Sequence, residues 1–317
     1  MSARPRLHLR DRVRRLAAMF GVRATSALKA ALSAPANALI DAATHLPRRV
    51  QGIVRRDFSI GARFLPYEPH ADAWVLPLSD GPPPGRALPV PPQELWLGYG
   101  RTPEEYLASG KRDVDKMEEV LAKADVELAA CPRILDLGCG AGRMLRWLDA
   151  GEREIWGADV SGPHIMWCQG HLSPPYRFLT STSCPHLPFE SRYFDLIYAG
   201  SLFTHISDLV ETWLLEIRRL LKPGAAAYVT IHDEHTLRAL DRFRERPLAR
   251  RLNAEPPARQ FWKGPFGMFT LRRGFNALVF YDDRFIRTSW GRLFDVVSIT
   301  PEAYDLQSAV VLRRRDS

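Results

Sequence analysis

Three glycines stand at alternate positions, Gly138, Gly140 and Gly142, directly after a short apolar run that contains one acidic residue, Asp136. Glycine adopts φ values that other residues avoid, and it leaves no Cβ between the backbone and a bound molecule. An apolar periodic segment resumes at residues 144–148, so the pattern predicts a strand, a tight turn and a helix. The free N–H groups at the start of such a helix would hold a carboxylate or a phosphate.

A second strand-like run, residues 154–158, ends in Asp159, which lies 21 residues after Gly138. An acidic side chain at the tip of the second strand, about 20 residues after the glycine turn, is placed to bind two ribose hydroxyls. The glycine spacing is G-x-G-x-G after an aspartate and differs from the G-x-G-x-x-G of dinucleotide sites. The spacing therefore indicates a nucleoside whose other end is small and zwitterionic.

These residues need a sheet to position them. Further strand-like runs follow at residues 176–180, 194–199 and 225–231, and helical patterns lie between them. This alternation is typical of an α/β domain with a parallel sheet. Residues 236–280 are rich in arginine and then in aromatic residues, and they are too long for a plain connection. We interpret them as a cap beside the carboxyl ends of the strands, or as a structural or oligomeric patch.

The charge of the chain is uneven. Residues 1–60 hold 12 of the 44 Lys and Arg residues but only three of the 36 Asp and Glu residues. Apolar residues there lie on one face of a helix and arginines on another, which predicts a basic amphipathic extension. Three interpretations stay open: a membrane-surface helix, a nucleic-acid contact, or a partly disordered or partner-packed extension. Few aromatic residues interrupt the basic ones, so we do not expect base stacking by nucleic acid.

Residues 61–93 contain nine of the chain's 25 prolines, which predicts an extended connector. No apolar run is long enough to span a bilayer, and the first residues lack the apolar core of a signal peptide. The four cysteines form no C-x-x-C pair and show no metal-ligand spacing. We therefore expect a reduced, cytoplasmic protein without a metal, which the extension could also bring to a membrane surface.

Four motifs resemble one known family, the class I S-adenosylmethionine-dependent methyltransferases. Residues 134–143, ILDLGCGAGR, resemble the first motif of that family, and residues 157–161, GADVS, resemble the second. The segment 187–198 is similar to its LPF…FDLV element. Residues 216–224, EIRRLLKPG, resemble the helix and turn before its fifth strand. The motifs occur in the family's order, and the resemblance covers about residues 94–317.

The resemblance implies a fold and a set of ligand contacts. The fold would be a doubly wound, seven-stranded, mostly parallel α/β sheet, Rossmann-like and of the methyltransferase type, with an antiparallel final strand. Asp136 would bind the amino group of S-adenosylmethionine, and Asp159 its ribose. Ser183 stands where the family often has an acidic residue for the adenine, so the Ser183 hydroxyl or the Cys184 backbone would replace it, or the adenine would be held by packing on Val160 and Ile165. The predicted cofactor-binding residues are Asp136, Gly138, Cys139, Gly140, Gly142, Asp159, Val160, Ser183 and Cys184.

A hydroxyl acceptor would need a base. His205 follows the fourth predicted strand and His232 follows the fifth, and imidazole suits proton transfer near neutral pH. Alternatively, His205 has a structural role, in which a ring nitrogen caps a loop carbonyl. His232-x-x-His235 offers only two imidazoles, so we expect no metal there. The resemblance implies methyl transfer to a small molecule, with a hydroxyl oxygen as the favoured acceptor. Two alternatives remain: a non-catalytic cofactor-binding subunit, and methylation of a macromolecule that the basic extension recruits.

Overall fold

A computed structural model describes residues 88–254, 266–271 and 277–316, which all belong to one compact unit spanning Asp72–Ser317. The predicted extension, residues 1–60, and residues 61–87 of the predicted connector lie outside the described residues. No helix in the described part of the chain is both long enough and apolar enough to cross a membrane.

Seven strands form one sheet in the order β3-β2-β1-β4-β5-β9-β8. The first five pair in parallel, whereas β9 runs antiparallel to both of its neighbours, β5 and β8. The predicted seven-stranded, mostly parallel α/β sheet with an antiparallel final strand is confirmed. A separate antiparallel pair joins β6 to β7. The strands are β1 (Arg133–Leu137), β2 (Glu154–Asp159), β3 (Arg177–Thr180), β4 (Phe194–Ala199), β5 (Leu221–Ile231), β6 (Met268–Leu271), β7 (Leu278–Tyr281), β8 (Phe294–Tyr304) and β9 (Gln307–Arg314).

Helices cover both faces of the sheet, and local sequence explains where several of them begin. The first helix starts after Thr102, whose side chain accepts the N–H of Glu105, and it has Pro103 in its first turn. The third helix ends at Leu220 because proline and glycine follow within four residues. The helices are α1 (Pro103–Ala122), α2 (Gly162–His171), α3 (Val210–Leu220), α4 (Glu234–Arg242), α5 (Pro247–Asn253) and α6 (Asp283–Ser289).

The core lies in two apolar layers, one on each face of the sheet. Ile134 of β1 contributes to one layer, and Leu135 and Leu137 contribute to the other. Successive side chains of a strand point to opposite faces, so a strand that is buried on both faces has a nearly continuous apolar sequence. Asp136 interrupts this run, and the strand carries it to the edge where ligands bind in open α/β sheets.

The predicted helix after the glycine turn is wrong. The chain forms turns from Gly140 to Met144 and then only a three-residue 3₁₀ helix, Leu145–Trp147. Gly142 has a φ of +70°, which is incompatible with an α-helix at that point. In addition, α1 crosses this segment so closely that a Cβ on Gly110 would lie 2.2 Å from the carbonyl oxygen of Arg143. Tertiary packing therefore replaces the helix with a compact turn.

The region between β5 and β8 contains α4, α5 and the β6–β7 pair. Strand β7 attaches to the carboxyl ends of the main strands, because Tyr281 N–H donates to the His232 carbonyl at 2.9 Å and Val279 N–H to the Thr204 carbonyl at 2.9 Å. Phe269 stacks on Phe280 in a small separate core. The cap role of residues 236–280 stays a prediction, and its aromatic residues 261, 262 and 275 lie outside the described residues.

Candidate functional site

A cavity of about 710 Å³ opens at the carboxyl ends of β1, β2 and β4. This volume lies in the range of small-molecule sites, and the lining is mostly apolar with a few polar side chains, as is usual for such sites. The predicted site residues on its wall are Asp136, Gly138, Cys139, Gly140, Asp159, Val160, Ser183 and His205. Its other walls come from the segment before α1, from the turn after β4 and from Tyr304 at the end of β8.

Two glycines shape the turn after β1. Gly138 has a φ of +83° and Gly140 a φ of +51°, values that residues with a side chain rarely adopt. A Cβ on Gly138 would lie 3.3 Å from the side chain of Leu202, across the cavity from the turn. A Cβ on Gly140 would lie 3.5 Å from Leu97, on another wall. The bare backbone at these positions therefore keeps space open for a bound molecule.

The amides of this turn are bonded inside the protein. The N–H groups of Gly138 and Cys139 both donate to the Ala158 carbonyl, at 2.7 and 3.1 Å. The Gly140 N–H donates to Oδ2 of Asp159 at 2.8 Å. These three N–H groups are thus not available to an anion, and the prediction that a helix start here would hold a carboxylate or phosphate is wrong. The turn therefore shapes the cavity, whereas the charge that the cavity presents to a ligand comes from side chains.

Asp159 stands at the end of β2 with both oxygens on fixed donors. Oδ2 accepts the Gly140 N–H, and Oδ1 accepts the Ser161 N–H at 2.8 Å. An ionised carboxylate has about four acceptor positions, so two remain for further donors. Two neighbouring hydroxyl groups of a ribose match this arrangement, which a rigid carboxylate presents to the cavity.

Asp136 lines the same cavity from the end of β1 and is only 3% exposed. Burial, with the nearby negative charge of Asp159, raises the pKa of this carboxyl to about 7, although the neighbouring Tyr198 hydroxyl and Arg143 act in the opposite direction. An aspartate in this state gains strongly from a cation placed beside it. The site therefore favours a ligand with a positively charged group near Asp136.

Arg143 is the only Lys or Arg among the described residues that line the cavity. It is buried and forms a salt bridge with Asp113 at 2.8 Å, and its guanidinium stacks at 3.9 Å from the centre of the Tyr99 ring. It also donates to the hydroxyls of Ser109 and Tyr304. Its charge is therefore compensated, and the part of the cavity wall that the structure describes offers no uncompensated Lys or Arg to an anionic acceptor.

Only some of the predicted adenine contacts lie on the cavity wall. Val160 and Ser183 line the cavity, and Val160 is 44% exposed. The Ser183 carbonyl accepts the indole N–H of Trp213 at 3.3 Å, which holds this loop against α3. Cys184 does not line the cavity, and its carbonyl accepts the Thr182 hydroxyl at 3.0 Å. The remaining candidate contacts on this side are thus the Val160 side chain and the Ser183 hydroxyl.

His205 reaches the cavity from the turn after β4. Its Nδ1 lies 2.8 Å from the carbonyl oxygen of Ala277. A carbonyl oxygen can only accept, so Nδ1 carries the proton and Nε2 of the neutral ring keeps a free electron pair. A histidine held in this tautomer can accept a proton at Nε2 from a group in the cavity.

His232 and Gly142 are not brought to the cavity wall. His232 is buried, its ring stacks on Phe280 with 5.0 Å between ring centres, and its Nδ1 has no hydrogen-bond partner in the described structure. Burial, together with the neighbouring His205, lowers the pKa of His232 to about 3. A Cβ on Gly142 would lie 2.6 Å from Leu172, so this glycine serves the packing of the turn against α2.

Sequence reasoning missed several polar residues on the wall, among them Ser201 and Tyr304. Ser201 has a φ of +56°, which is rare for a residue with a side chain. Tyr304 stands at the end of β8 and bonds the Tyr99 hydroxyl at 2.9 Å. Neither position carries a local sequence signal, because tertiary contacts create both. Among the described residues, no group of three or more His, Cys, Asp or Glu side chains is arranged to hold a metal.

Comparison with known proteins finds similarity to methyltransferases. Residues 135–229 match the family described as a methyltransferase domain. A malonyl-[acyl-carrier protein] O-methyltransferase of Pseudescherichia vulneris is 28% identical over 133 residues, which cover 42% of this chain and 51% of that protein. A ubiquinone biosynthesis O-methyltransferase of Roseobacter denitrificans is 30% identical over 97 residues, which cover 29% and 38%. The chain thus spans about half or less of the length of these relatives.

A solved protein from Pyrococcus horikoshii is also similar. It is 18% identical and has a TM-score of 0.45, and the match covers 64% of this chain and 89% of that chain.

Proposed function

We propose that this class I S-adenosylmethionine-dependent methyltransferase, whose residues 135–229 match the methyltransferase-domain family, transfers a methyl group to a hydroxyl oxygen of a small molecule. One observation carries the choice of oxygen: His205 lines the same cavity as Asp136 and Asp159 and keeps a free electron pair on Nε2. The cavity thus combines groups for a cationic nucleoside with a base for an acidic proton.

The residues present fit S-adenosylmethionine. The bare backbone at Gly138 and Gly140 leaves a cradle that side chains would fill. Asp159 offers acceptor positions to the ribose hydroxyls, and the buried Asp136 favours a neighbouring ammonium or sulfonium group. Val160 and Ser183 lie where the adenine contacts are expected. When bound, this cofactor supplies a methyl group already activated by its positive sulfur.

The protein's own task is then to hold the acceptor and to remove its proton. Alignment of two reactants in a closed site can supply several kcal/mol of the rate enhancement. The side chains of Leu202, Ile206 and Trp213 give the cavity apolar walls against which the acceptor can pack. His205 Nε2 accepts the hydroxyl proton, and the Ala277 carbonyl holds the ring in the tautomer that can do so.

The charges of the cavity favour an acceptor that is uncharged before it loses this proton. Arg143 is already paired with Asp113, and the described wall carries three aspartates, Asp136, Asp159 and Asp208. A free carboxylate would meet no uncompensated Lys or Arg on the part of the cavity wall that the structure describes. Of the two acceptor types that the relatives' names indicate, a malonyl group and an intermediate of ubiquinone biosynthesis, we therefore favour the second, with a neutral hydroxyl group as the methyl acceptor.

The test is methyl transfer by the full chain. The purified protein is incubated with S-adenosylmethionine labelled in its methyl group and, in separate reactions, with a catechol, an aniline and a malonyl thioester. We expect label on the catechol oxygen and formation of S-adenosylhomocysteine. Tight binding of S-adenosylmethionine without transfer to any acceptor would instead favour a non-catalytic cofactor-binding subunit, and transfer only to nitrogen would refute the choice of oxygen.

A further inference from the structure

Ser201, in the turn directly after β4, has a strained backbone whose N–H and carbonyl groups are both hydrogen-bonded. Its φ of +56° lies in the left-handed region, where residues with a side chain are held only when their surroundings enforce it. Its N–H donates to Oγ1 of Thr230 at 2.6 Å, and its carbonyl accepts the Thr204 hydroxyl at 2.9 Å. The turn is therefore fixed from both sides.

The bond from the Ser201 N–H to Thr230 determines the direction of the hydrogen bond between Thr230 and Gln307. A backbone N–H can only donate, so Oγ1 of Thr230 accepts from Ser201 and must place its own proton elsewhere. Thr230 is fully buried, and Oε1 of Gln307 lies 2.7 Å from its hydroxyl. With the amide reversed, the Thr230 oxygen would receive two donors and its proton would have no acceptor, which is costly in a buried position.

The amide of Gln307 transmits this direction back to Ser201. Because its oxygen faces Thr230, its nitrogen faces Ser201, and Nε2 donates to Ser201 Oγ at 2.8 Å. Ser201 Oγ therefore accepts, and its own proton remains for another partner. In the described structure the nearest acceptor is Oγ1 of Thr204 at 3.4 Å, too long for a good O–H···O bond.

We infer that Ser201 presents a hydrogen-bond donor to the acceptor molecule, and that this molecule carries an oxygen acceptor at the same end as the hydroxyl that is methylated. Ser201 lines the cavity, and it belongs to the same short turn as His205, whose N–H bonds the Leu202 carbonyl at 2.9 Å. The turn thus offers one donor and one proton acceptor to a single end of the ligand.

The matching ligand class is a neutral molecule with two neighbouring oxygens, such as a catechol, a vicinal diol or a hydroxy ketone. One oxygen gives its proton to His205 Nε2, and the other accepts from the Ser201 hydroxyl. The network makes Ser201 a specificity residue, with Thr230 and Gln307 as positioning residues. This inference rests on the proposed function for the identity of the site, and it adds the pattern of the acceptor.

The experiment measures binding, so that it does not depend on turnover. Dissociation constants of pyrocatechol and of phenol are determined by calorimetry with the full chain saturated with S-adenosylhomocysteine. Pyrocatechol keeps both oxygens and phenol has lost one. A net neutral hydrogen bond of about 1 kcal/mol corresponds to roughly a fivefold preference for pyrocatechol in the unaltered protein.

Two variants test the source of that preference. Ser201→Ala removes the donor, and Gln307→Glu replaces the amide nitrogen by an oxygen, so that the Ser201 proton turns to the new carboxylate and away from the cavity. Both should reduce the preference to about one. Ser207→Ala removes a hydroxyl from the same cavity wall and should keep the preference.

Each outcome decides the inference. If the unaltered protein binds neither pyrocatechol nor phenol, or binds the two equally well, the assigned ligand pattern is wrong. The role of Ser201 is also wrong if a folded Ser201→Ala protein keeps the preference for pyrocatechol over phenol. If Gln307→Glu does not fold, the result with Ser201→Ala alone decides whether Ser201 is the donor. Preferential binding of pyrocatechol without any methyl transfer would refute the proposed function and leave the role of Ser201 standing.

Discussion

Gly140 donates its backbone N–H to Oδ2 of Asp159 across 2.8 Å, and this bond joins the glycine turn after β1 to the end of β2. The two strands are neighbours in the sheet and pair in parallel, so their carboxyl ends already lie side by side. The bond then fixes the turn relative to the carboxylate. Asp159 is thus both a candidate ligand contact and a structural support of the cradle beside it.

Replacement of Asp159 should separate these two roles. Asp159→Ala removes the charged acceptor and the tether of Gly140, and we expect S-adenosylmethionine to bind at least about tenfold more weakly, since charge-assisted hydrogen bonds are lost. Asp159→Asn keeps one acceptor oxygen and should weaken binding less. Calorimetric titration measures both, with Asp149→Ala as the control, because Asp149 is an exposed aspartate outside the cavity. Unchanged affinity in Asp159→Ala would contradict the assigned cofactor position.

Asp136 should make cofactor binding depend on pH. Its pKa is raised to about 7 by burial, so below neutral pH the empty site contains a neutral carboxyl. A cationic ligand stabilises the ionised form, and binding therefore releases a proton. We expect affinity for S-adenosylmethionine to rise with pH up to about 7 and to level off above it, and Asp136→Asn to bind weakly at every pH. Titrations in buffers of different ionisation enthalpy count the released protons.

The same carboxyl should affect stability with a definite sign. Its pKa is higher in the folded chain than the ordinary value of 3.8, so the folded state binds more protons between pH 3.8 and about 7. Stability contributed by this group is present below pH 3.8 and is lost as the pH rises through 7. Without ligand, Asp136→Asn should therefore raise the melting temperature more at pH 8 than at pH 5. An equal change at both pH values would show that Asp136 is not perturbed in the folded protein.

The crossing of α1 over the glycine turn should tolerate no added side chain. A Cβ on Gly110 would lie 2.2 Å from the Arg143 carbonyl oxygen, and both partners are backbone of packed elements. Gly110→Ala should lower the free energy of unfolding by about 1–3 kcal/mol, as overpacking usually does. Gly170→Ala is the matched control, since Gly170 also lies in a helix and a Cβ there meets nothing within 4 Å. Urea denaturation compares them; equal stability of the two variants would contradict the close crossing.

The fold could be predicted where a local pattern determines it. The apolar runs of β1, β2 and β4 and the stop at Pro223 and Gly224 are visible in the sequence, because a strand buried on both faces must be apolar and a helix cannot continue through proline. The helix after Gly142 was predicted wrongly, because its absence depends on the crossing of α1, whose Gly110 is more than 30 residues away in the chain.

The residues of the site could be predicted from the sequence only in part, because several of them also depend on contacts between distant parts of the chain. His205 and His232 both follow a strand, and the sequence does not show that β7 covers His232, since this depends on the bond between Tyr281 N–H and the His232 carbonyl. Ser201 owes its orientation to Gln307, which lies 106 residues further along the chain. Residues that act through such distant partners carry no signal in their own neighbourhood.

His205 provides the last test of the proposed reaction. Its Nδ1 bonds the Ala277 carbonyl at 2.8 Å, so Nε2 is the only ring atom free to take a proton. His205→Gln should lower kcat by about 10²–10⁴, the usual contribution of a positioned general base, while the affinity for S-adenosylmethionine stays unchanged.

The measurement combines initial rates across pH with calorimetric binding of the cofactor. His171→Gln is the control, because His171 is exposed at the end of α2 and stacks on Trp167 away from the cavity wall. A His205→Gln variant that keeps full turnover would exclude His205 as the base. Another group would then have to take the proton, and His232 is not a candidate, since it is buried and is not part of the described cavity wall.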